Sequence, residues 1–353
     1  MTETAARGRS RMLRIVRVAE ETRDARSLVF EVPEADRDRF SYRPGQFLTL
    51  RIPSDRTGSV ARCYSLASSP HEAEQLTVTV KRTADGYGSN WLCANAVEGM
   101  ELEVLPPGGV FTPKDLGADL LLFAGGSGIT PVFSIVKSAL AQGSGKIVLV
   151  YANRDESSVI FADRLAALSA RYPRRLTVIH WLESVQGLPS RGQLQALATP
   201  FTGYEAFVCG PAPFMDAVTD ALSSAGMPKS RVHVEVFTSL SGDPFAEVPA
   251  VAQDTATAKS TVPAEVELAG QTYAVDWPAG TPLVDVLLAK GIDAPYSCRD
   301  GECGSCQATL LKGKVTMIRN EVLGEDDVAE GYILTCQALP DPTGTDPIKI
   351  EFL

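Results

Sequence analysis

The first third of the chain alternates apolar and polar residues in short runs that are separated by turn signals. Within residues 11–113 these runs are LRIVRVAEET, RSLVFEV, QFLTLRI, QLTVTVKR and MELEVLP. Alternation with a period of two predicts strands that bury one face. The number of runs predicts a small β-barrel, with one helix at residues 89–95.

The pattern changes within residues 117–237, where continuous apolar runs alternate with amphipathic stretches. The apolar runs are ADLLLFAG, KIVLVYA, RLTVIHW and YEAFVC, and VHVEVF closes the series. Strands that are apolar throughout are buried on both faces, so this region predicts a parallel sheet covered by helices. The helices are predicted at residues 131–141, 161–172, 191–198 and 211–224.

The remaining chain divides into a linker and a third domain. Residues 238–262 are rich in Ala, Thr, Ser, Pro and Asp and lack a period, which predicts an interdomain linker. In residues 263–353 we expect a hairpin from AEVELAGQTYAVDW, a helix at residues 282–290, a cysteine-rich loop and a terminal strand IKIEF. The sequence therefore predicts a multidomain chain with a β-barrel, an α/β domain and an α+β domain.

The charge of the chain is concentrated in the third domain. Residues 263–353 carry 15 acidic and six basic residues, whereas the whole chain of 353 residues has a net charge of −10. An acidic module argues against nucleic acid and suits docking on a basic protein, although solubility alone explains such charges equally well. No apolar run is long enough to span a bilayer, and the start of the sequence does not have the pattern of a signal peptide. We therefore expect a cytoplasmic protein that does not bind membranes.

Four of the seven cysteines lie in the last 56 residues with a tight spacing. Cys298, Cys303 and Cys306 form C-x4-C-x2-C, and Cys336 follows 30 residues later. This is the spacing of a plant-type [2Fe–2S] site, in which one loop supplies three thiolates and the fourth comes from elsewhere. Glycines within the loop let backbone N–H groups approach the sulfurs. We expect these four cysteines to hold the cluster. A zinc site is the alternative, but structural zinc usually shows paired short knuckles.

A second group of motifs lies in the barrel region. Arg62 and Tyr64 share a strand face, where the guanidinium suits a phosphate and the ring suits an isoalloxazine. Ser65 follows and reaches the same edge. Gly88, Ser89 and Asn90 lie where a glycine turn opens a helix, a place that favours a pyrophosphate. Gly108-Gly109-Val110-Phe111 closes the unit. In this order, the motifs resemble the flavin-binding domain of the ferredoxin–NADP reductase superfamily.

A third group of motifs lies in the α/β region. Gly126, Gly128 and Thr130 belong to GGSGITP, which follows a buried strand and opens a helix, so it suits a dinucleotide pyrophosphate. The ordinary G-x-G-x-x-G pattern is absent because Pro131 replaces the last glycine, but G-x-G-x-x-P matches the same superfamily. Cys209-Gly210-Pro211 resembles its second dinucleotide element, with Cys209 beside the nicotinamide. A buried structural cysteine is the alternative for that position.

Two positions extend the nicotinamide site. Asp155 and Glu156 follow the second strand of this region, where the adenosine ribose is expected, and their charges disfavour a 2′-phosphate. Arg154 opposes them, so the balance leans towards NADH. Glu235 and Phe237 end the region, where the superfamily often places a segment against the flavin. Packing at the sheet edge is an equally good interpretation for both.

The order flavin, nicotinamide, [2Fe–2S] resembles the family of reductase components that serve Rieske-type and di-iron oxygenases. The segments TGSVARCYS, VKRTADGY, YANRD and HWLES are similar to segments of actinobacterial reductase components of 3-ketosteroid 9α-hydroxylases. The resemblance implies FAD, although a related group uses FMN, and it adds Lys81 to the cofactor-binding residues. It implies a β-grasp fold for the third domain. It also implies Ser65, Thr130 and Cys209 as the residues that act at the flavin and nicotinamide.

The implied activity follows from electron counting. A nicotinamide gives two electrons as hydride and a [2Fe–2S] cluster accepts one, so a flavin must stand between them. We expect a monomer that passes electrons from NADH to a terminal oxygenase, of Rieske type, in steroid catabolism. A reductase for another oxygenase, such as a di-iron phenylacetyl-CoA epoxygenase, remains an alternative. A non-catalytic redox sensor is the alternative from another class.

Overall fold

The computed structural model describes residues 9–237, 239–240, 242–246, 261–342 and 347–352. Backbone proximity divides the chain into two compact units. One unit holds residues 10–107 and 111–237, and the other holds Arg9, residues 108–110 and the described residues from 239 onward. No helix among the described residues combines the length and the apolar character that crossing a membrane requires.

The first sheet is six-stranded and antiparallel where its pairings are resolved. Its strand order is β4-β3-β6-β1-β2-β5, and a bridge between Leu66 and Val78 brings the two edges together, so the sheet is barrel-like. The interior is filled by alternate apolar residues such as Leu13, Leu48 and Leu50. The elements are β1 (Arg11–Thr22), β2 (Ala25–Glu31), β3 (Phe47–Ser54), β4 (Gly58–Ser65), β5 (Leu76–Lys81), α1 (Tyr87–Asn95) and β6 (Glu101–Gly108).

The second sheet is parallel, with strand order β11-β10-β7-β8-β9. Every residue of β7 is buried, because its side chains pack alternately into apolar cores on the two faces of the sheet. The elements are β7 (Leu120–Gly125), α2 (Ile129–Gln142), β8 (Ile147–Asn153), α3 (Ala162–Arg171), β9 (Leu176–Leu182), α4 (Glu183–Gln186), α5 (Arg191–Ala198), β10 (Glu205–Cys209), α6 (Ala212–Ser224) and β11 (Val232–Glu235).

The third sheet is mixed, with order β13-β12-β18-β14-β16 and a separate pair β15-β17. Trp277 is fully buried and packs with Leu283 and Leu287 in the core of this domain. The elements are β12 (Thr261–Leu268), β13 (Gln271–Pro278), α7 (Leu283–Ala289), β14 (Gln307–Lys312), β15 (Val315–Met317), α8 (Glu325–Ala329), β16 (Tyr332–Leu334), β17 (Ala338–Pro340) and β18 (Ile348–Phe352).

The predicted fold class, with a β-barrel, a parallel α/β sheet and an α+β domain, is confirmed, and the differences lie at element ends. The helix predicted from Pro131 begins at Ile129, so the proline occupies its first turn. The last strand of the parallel sheet ends at Glu235, which leaves Phe237 outside it and 47% exposed. Of the linker predicted at residues 238–262, only 239–240, 242–246 and 261–262 are described, and the last two begin β12.

Candidate functional site

The loop between α7 and β14 directs backbone donors at cysteine sulfur. The N–H groups of Asp300 and Glu302 donate to Cys298 Sγ at 3.4 and 3.3 Å, and the N–H of Cys298 donates to Cys303 Sγ at 3.4 Å. Gly301 has a φ of +74°, so the loop turns back at a position that disfavours a side chain. The loop is therefore built to stabilise negative charge on sulfur.

Cys336 reaches this loop through strand pairing. β14 pairs with β16, and the N–H and hydroxyl of Thr335 donate to the carbonyl of Cys306 at 3.0 and 2.9 Å. Hydrogen bonds shared among the thiols lower the pKa of Cys298 and of Cys306 and raise the pKa of Cys336. The four predicted cysteines thus converge, although 30 residues separate the last two.

Three contacts that the sequence pattern did not reveal brace the loop. The guanidinium of Arg299 pairs with Asp285 in α7 at 2.5 Å, and Gln337 Nε2 donates to the carbonyl of Arg299 at 2.7 Å. Arg319 pairs with the buried carboxylate of Glu302 at 2.9 Å. No local sequence signal could have found these partners, because each comes from a distant element.

Arg62, Tyr64 and Gly88 come together in the barrel. Arg62 and Tyr64 lie on one face of β4, and a Cβ placed on Gly88 would lie 2.9 Å from Arg62 Cγ and 3.3 Å from Tyr64 Oη. Burial raises the pKa of Tyr64, so its phenol stays protonated. Ser65 ends β4 and is buried. The strand therefore presents a guanidinium and a ring beside the N-terminal turn of α1.

Ser89 and Asn90 use their side chains to shape the turn that opens α1. The hydroxyl of Ser89 accepts from the N–H of Thr83 at 3.2 Å, and Asn90 Nδ2 donates to the carbonyls of Thr83 and Gly86 at 2.9 Å. What this turn offers a ligand is the set of first-turn N–H groups, which have no partner within the helix.

A hydrogen bond from the neighbouring strand β8 holds the glycine turn that follows β7. Gly126 has a φ of +52°, and its carbonyl accepts from the hydroxyl of Tyr151 at 3.1 Å. Burial raises the pKa of Tyr151, which keeps that donor protonated. Thr130 is buried and its hydroxyl donates to the carbonyl of Ser127 at 3.0 Å. The turn therefore has a fixed shape at the carboxyl end of the parallel sheet, where nucleotides bind in such folds.

The second predicted dinucleotide element packs directly on the first. A Cβ on Gly128 would lie 2.1 Å from the carbonyl oxygen of Cys209, and one on Gly125 would lie 2.8 Å from Pro211. A Cβ on Gly210 would lie 3.0 Å from the backbone of Gly125. These glycines are required by the close approach of two strand ends, so the two elements form one surface.

Cys209 and Glu235 are neighbours across β10 and β11. Burial, followed by the charge of Glu235, raises the pKa of the Cys209 thiol. Burial raises the pKa of Glu235 to about 8, so its carboxyl group is largely protonated at neutral pH. Phe237 lies beyond the strand and is not packed in the sheet core.

Lys81 ends β5 and lies beside the glycine turn. Its Nζ is 3.6 Å from the position that a Cβ on Gly126 would occupy. Burial lowers the pKa of Lys81, and the charge of Asp24 opposes that effect. An ammonium in this place suits an anionic group bound at the turn.

The acidic position after β8 serves a local role. Asp155 accepts from the hydroxyl of Ser157 at 2.6 Å, and this bond lowers its pKa. Arg154 is not turned to its sequence neighbours but forms an ion pair of 2.8 Å with Asp24, 130 residues away. The sequence pattern gave no sign of this partner.

Three domain families match consecutive parts of the chain. They are described as an oxidoreductase FAD-binding domain over residues 12–112, an oxidoreductase NAD-binding domain over residues 122–220 and a 2Fe-2S iron-sulfur cluster binding domain over residues 266–341. The predicted cofactor classes and the predicted order of domains are therefore confirmed.

Several proteins are similar to the chain over nearly its whole length. The ferredoxin reductase component of 3-ketosteroid-9-alpha-monooxygenase from Rhodococcus rhodochrous is 63% identical, with 98% of this chain and 97% of that protein covered. The component of the same name from Mycolicibacterium smegmatis is 59% identical, with 93% and 94% covered. A component of the 1,2-phenylacetyl-CoA epoxidase of Escherichia coli is 33% identical, with 93% and 94% covered.

Solved structures share the fold. Phthalate dioxygenase reductase superposes with a TM-score of 0.55 at 24% identity, covering 97% of this chain and 98% of that one. An intact type IV self-sufficient cytochrome P450 monooxygenase superposes with a TM-score of 0.60 at 24% identity, covering 97% of this chain and 41% of that one. Both likenesses concern the three-domain architecture.

Proposed function

The chain belongs to the family of ferredoxin reductase components of 3-ketosteroid-9-alpha-monooxygenases, and from that membership we propose that it delivers electrons from NADH to the terminal oxygenase of such a system. The observation that carries the proposal is identity of 55–63% to four proteins of that name over at least 93% of this chain. An NAD-binding, an FAD-binding and a [2Fe–2S]-binding domain in one chain are the parts that this activity requires.

The cluster ligands in this proposal are Cys298, Cys303, Cys306 and Cys336. Their thiols share hydrogen bonds, and backbone N–H groups already point at the sulfur atoms of Cys298 and Cys303. Converging thiolates with inward N–H donors are the donor set that suits an iron–sulfur cluster. The residues present therefore fit the group.

The flavin in this proposal is FAD, held by Arg62, Tyr64, Ser65 and the first turn of α1. The guanidinium of Arg62 would bind phosphate, Tyr64 would pack on the ring system, and the free N–H groups around Gly88 would bind the pyrophosphate. A bound flavin supplies the conversion of an electron pair into single electrons. Ser65 is buried and would orient the ring edge.

The nicotinamide dinucleotide in this proposal binds across the two packed strand ends. Gly126 and Gly128 allow its pyrophosphate to approach, and Lys81 lies close enough to balance the charge. Thr130 and Cys209 would border the nicotinamide, and the segment of Glu235 and Phe237 would lie against the flavin. Asp155 and Glu156 would disfavour a 2′-phosphate, which supports NADH.

The partner in this proposal is a Rieske-type oxygenase, and the chain acts as a monomer in the cytoplasm. All seven cysteines lie within the described residues and none is joined in a disulfide, which suits a reducing compartment. Light scattering on the purified holoprotein measures its mass in solution and so tests the monomeric state. A mass other than that of one chain would contradict it.

Reconstitution tests the function. The purified chain, NADH and a purified 3-ketosteroid 9α-hydroxylase oxygenase are expected to yield 9α-hydroxylated steroid, with NADH consumed in step with product. The matched control replaces the oxygenase by that of a phenylacetyl-CoA epoxidase, since one relative of 33% identity carries that name. Faster coupled turnover with the epoxidase would favour that second function. Absence of turnover with any acceptor would favour a redox sensor.

A further inference from the structure

Asp24 is fixed in the tight turn between β1 and β2. Its carboxylate accepts from the hydroxyl of Thr22 at 2.8 Å, and its carbonyl accepts from the N–H of Arg82 at 2.7 Å. The side chain is only 20% exposed. The hydrogen bond from Thr22 and the charges of Lys81 and Arg154 lower the pKa of Asp24 despite its partial burial. Asp24 is therefore a charged and preorganised acceptor.

Arg154 is held at both ends of the residue. Its guanidinium pairs with Asp24 at 2.8 Å, and its carbonyl accepts from the N–H of Ser184 in α4 at 2.8 Å. Since Asp24 belongs to the barrel and Arg154 to the parallel sheet, the ion pair joins the two halves of one compact unit. The direction of the Arg154 side chain is thus decided by a residue of the other half.

The end of β8 is the place where dinucleotide specificity is decided in folds of this type. The second strand of the sheet ends near the adenosine ribose, where an acidic group suits a free 2′-hydroxyl and an arginine suits a 2′-phosphate. Here the acids near this end are Asp24, Asp155 and Glu156, and the bases are Arg154, Lys81 and Arg23. The preference between NADH and NADPH therefore depends on whether the guanidinium of Arg154 is available to bind a 2′-phosphate.

We propose that Asp24 is a specificity-determining residue that excludes NADPH by engaging Arg154 across the barrel and the nucleotide sheet. An arginine already paired with a carboxylate offers a 2′-phosphate less net attraction than an arginine that can turn to it. The inference rests on the proposed nicotinamide site. It adds a residue that lies outside the nucleotide-binding domain altogether.

Asp24→Asn tests the proposal in the purified holoprotein. Asparagine keeps the acceptor for Thr22 but removes the charge that holds Arg154. Steady-state dye reduction with NADH and NADPH gives kcat/KM for each, and calorimetric titration with NAD⁺ and NADP⁺ gives the two Kd values. We expect the NADPH-to-NADH ratio of kcat/KM to rise roughly tenfold, with a matching fall in the Kd of NADP⁺.

The double variant Asp24→Asn with Arg154→Gln separates this route from a general gain of positive potential at Lys81. It is expected to return the ratio to the wild-type value, because the freed arginine is gone. The matched control is Glu31→Gln, which breaks the 2.6 Å pair with Arg14 on the barrel surface and is expected to leave the ratio unchanged. An unchanged ratio in Asp24→Asn, or a rise that persists in the double variant, overturns the inference.

The proposed function and the inference fail separately. Turnover of the wild-type chain with NADH tests the function. The change in the NADPH-to-NADH ratio between wild type and variant tests the role of Asp24.

Discussion

At the scale of single residues, the chain places ordinary side chains where the fold changes their chemistry. Cys209 and Glu235 are neighbours at the carboxyl end of the parallel sheet, and burial raises the pKa of both. In the third domain, hydrogen bonds lower the pKa of Cys298 instead. Cysteine is therefore a neutral thiol at Cys209 in the parallel sheet and a candidate thiolate ligand at Cys298 in the third domain.

Cys303→Ser tests the ligand assignment. We expect the variant to bind flavin and to reduce a dye with NADH at the wild-type rate, because those steps use the other unit. Electron transfer to the oxygenase is expected to be lost, together with the visible absorbance of the cluster. Cys63→Ser is the control, since Cys63 contacts Thr49 in the barrel and its replacement should keep both activities. Equal loss of both activities in Cys303→Ser would contradict the assignment.

Glu235→Gln tests the raised pKa of Glu235. The carboxyl group has a pKa of about 8 when folded against an ordinary value of 4.5, so the folded state binds the proton more tightly. Its contribution to stability is fully present below the ordinary pKa and is lost as the pH rises through about 8. Glutamine cannot ionise, so the variant should gain in Tm relative to wild type between pH 5 and pH 9. A Tm difference that does not vary with pH would argue against a raised pKa of Glu235.

At the scale of secondary structure, strand ends rather than strand interiors build the sites. β7 and β10 end in glycine-containing turns that touch each other, and β8 supplies the hydroxyl of Tyr151 beneath the first turn. Parallel strands all end at one edge, so short motifs far apart in the chain meet there. The candidate nucleotide site therefore lies at the ends of the strands.

Gly128→Ala tests this packing of strand ends. The new Cβ would lie 2.1 Å from the carbonyl oxygen of Cys209, so one of the two turns has to move. We expect a loss of about 1–3 kcal/mol in the free energy of unfolding and a weaker affinity for NAD⁺. Chemical denaturation and calorimetric titration measure these effects. Gly192→Ala is the control, because nothing lies within 4 Å of its added Cβ in α5, and it should fold and bind NAD⁺ as wild type does. Wild-type affinity in Gly128→Ala would contradict the role of this contact.

At the scale of the whole molecule, polar contacts join the barrel to the parallel sheet within one compact unit. Lys137 lies on α2, is buried, and forms an ion pair with Glu74. The hydroxyls of Ser69 and Ser138 are 2.9 Å apart at the same junction, and Ser134 donates to the carbonyl of Ser68 at 2.6 Å. These contacts fix the two predicted cofactor sites relative to each other.

Glu74→Gln tests the buried pair. It removes the carboxylate that pairs with the buried ammonium of Lys137, and burial already lowers the pKa of Lys137. We expect a loss of roughly 2 kcal/mol, less than the about 3–5 kcal/mol of a fully buried pair because Glu74 is 35% exposed. Adding Lys137→Met should restore most of the stability. Asp220→Asn, which breaks an exposed pair with Arg191, should change Tm little. A Glu74→Gln variant as stable as wild type would show that the pair is dispensable.

The sequence by itself determined the three domains, their order and the chemistry of the motifs. Alternation, continuous apolar runs and cysteine spacing are local properties, because they follow from strand geometry and from the reach of a short loop. They identified the C-x4-C-x2-C loop, the segment from Arg62 to Ser65 and the glycine turn around Gly126. The positions of α5 and of the cysteine loop could be predicted without knowledge of distant residues.

The tertiary structure alone decided which distant residues meet. Asp24 with Arg154, Asp285 with Arg299 and Glu74 with Lys137 are ion pairs between elements that the chain brings together only on folding. A charged residue has no periodicity that marks its partner, so no sequence pattern predicts such a pair. The residues of each motif could therefore be identified from the local sequence, whereas their partners in other elements are defined only by the folded chain.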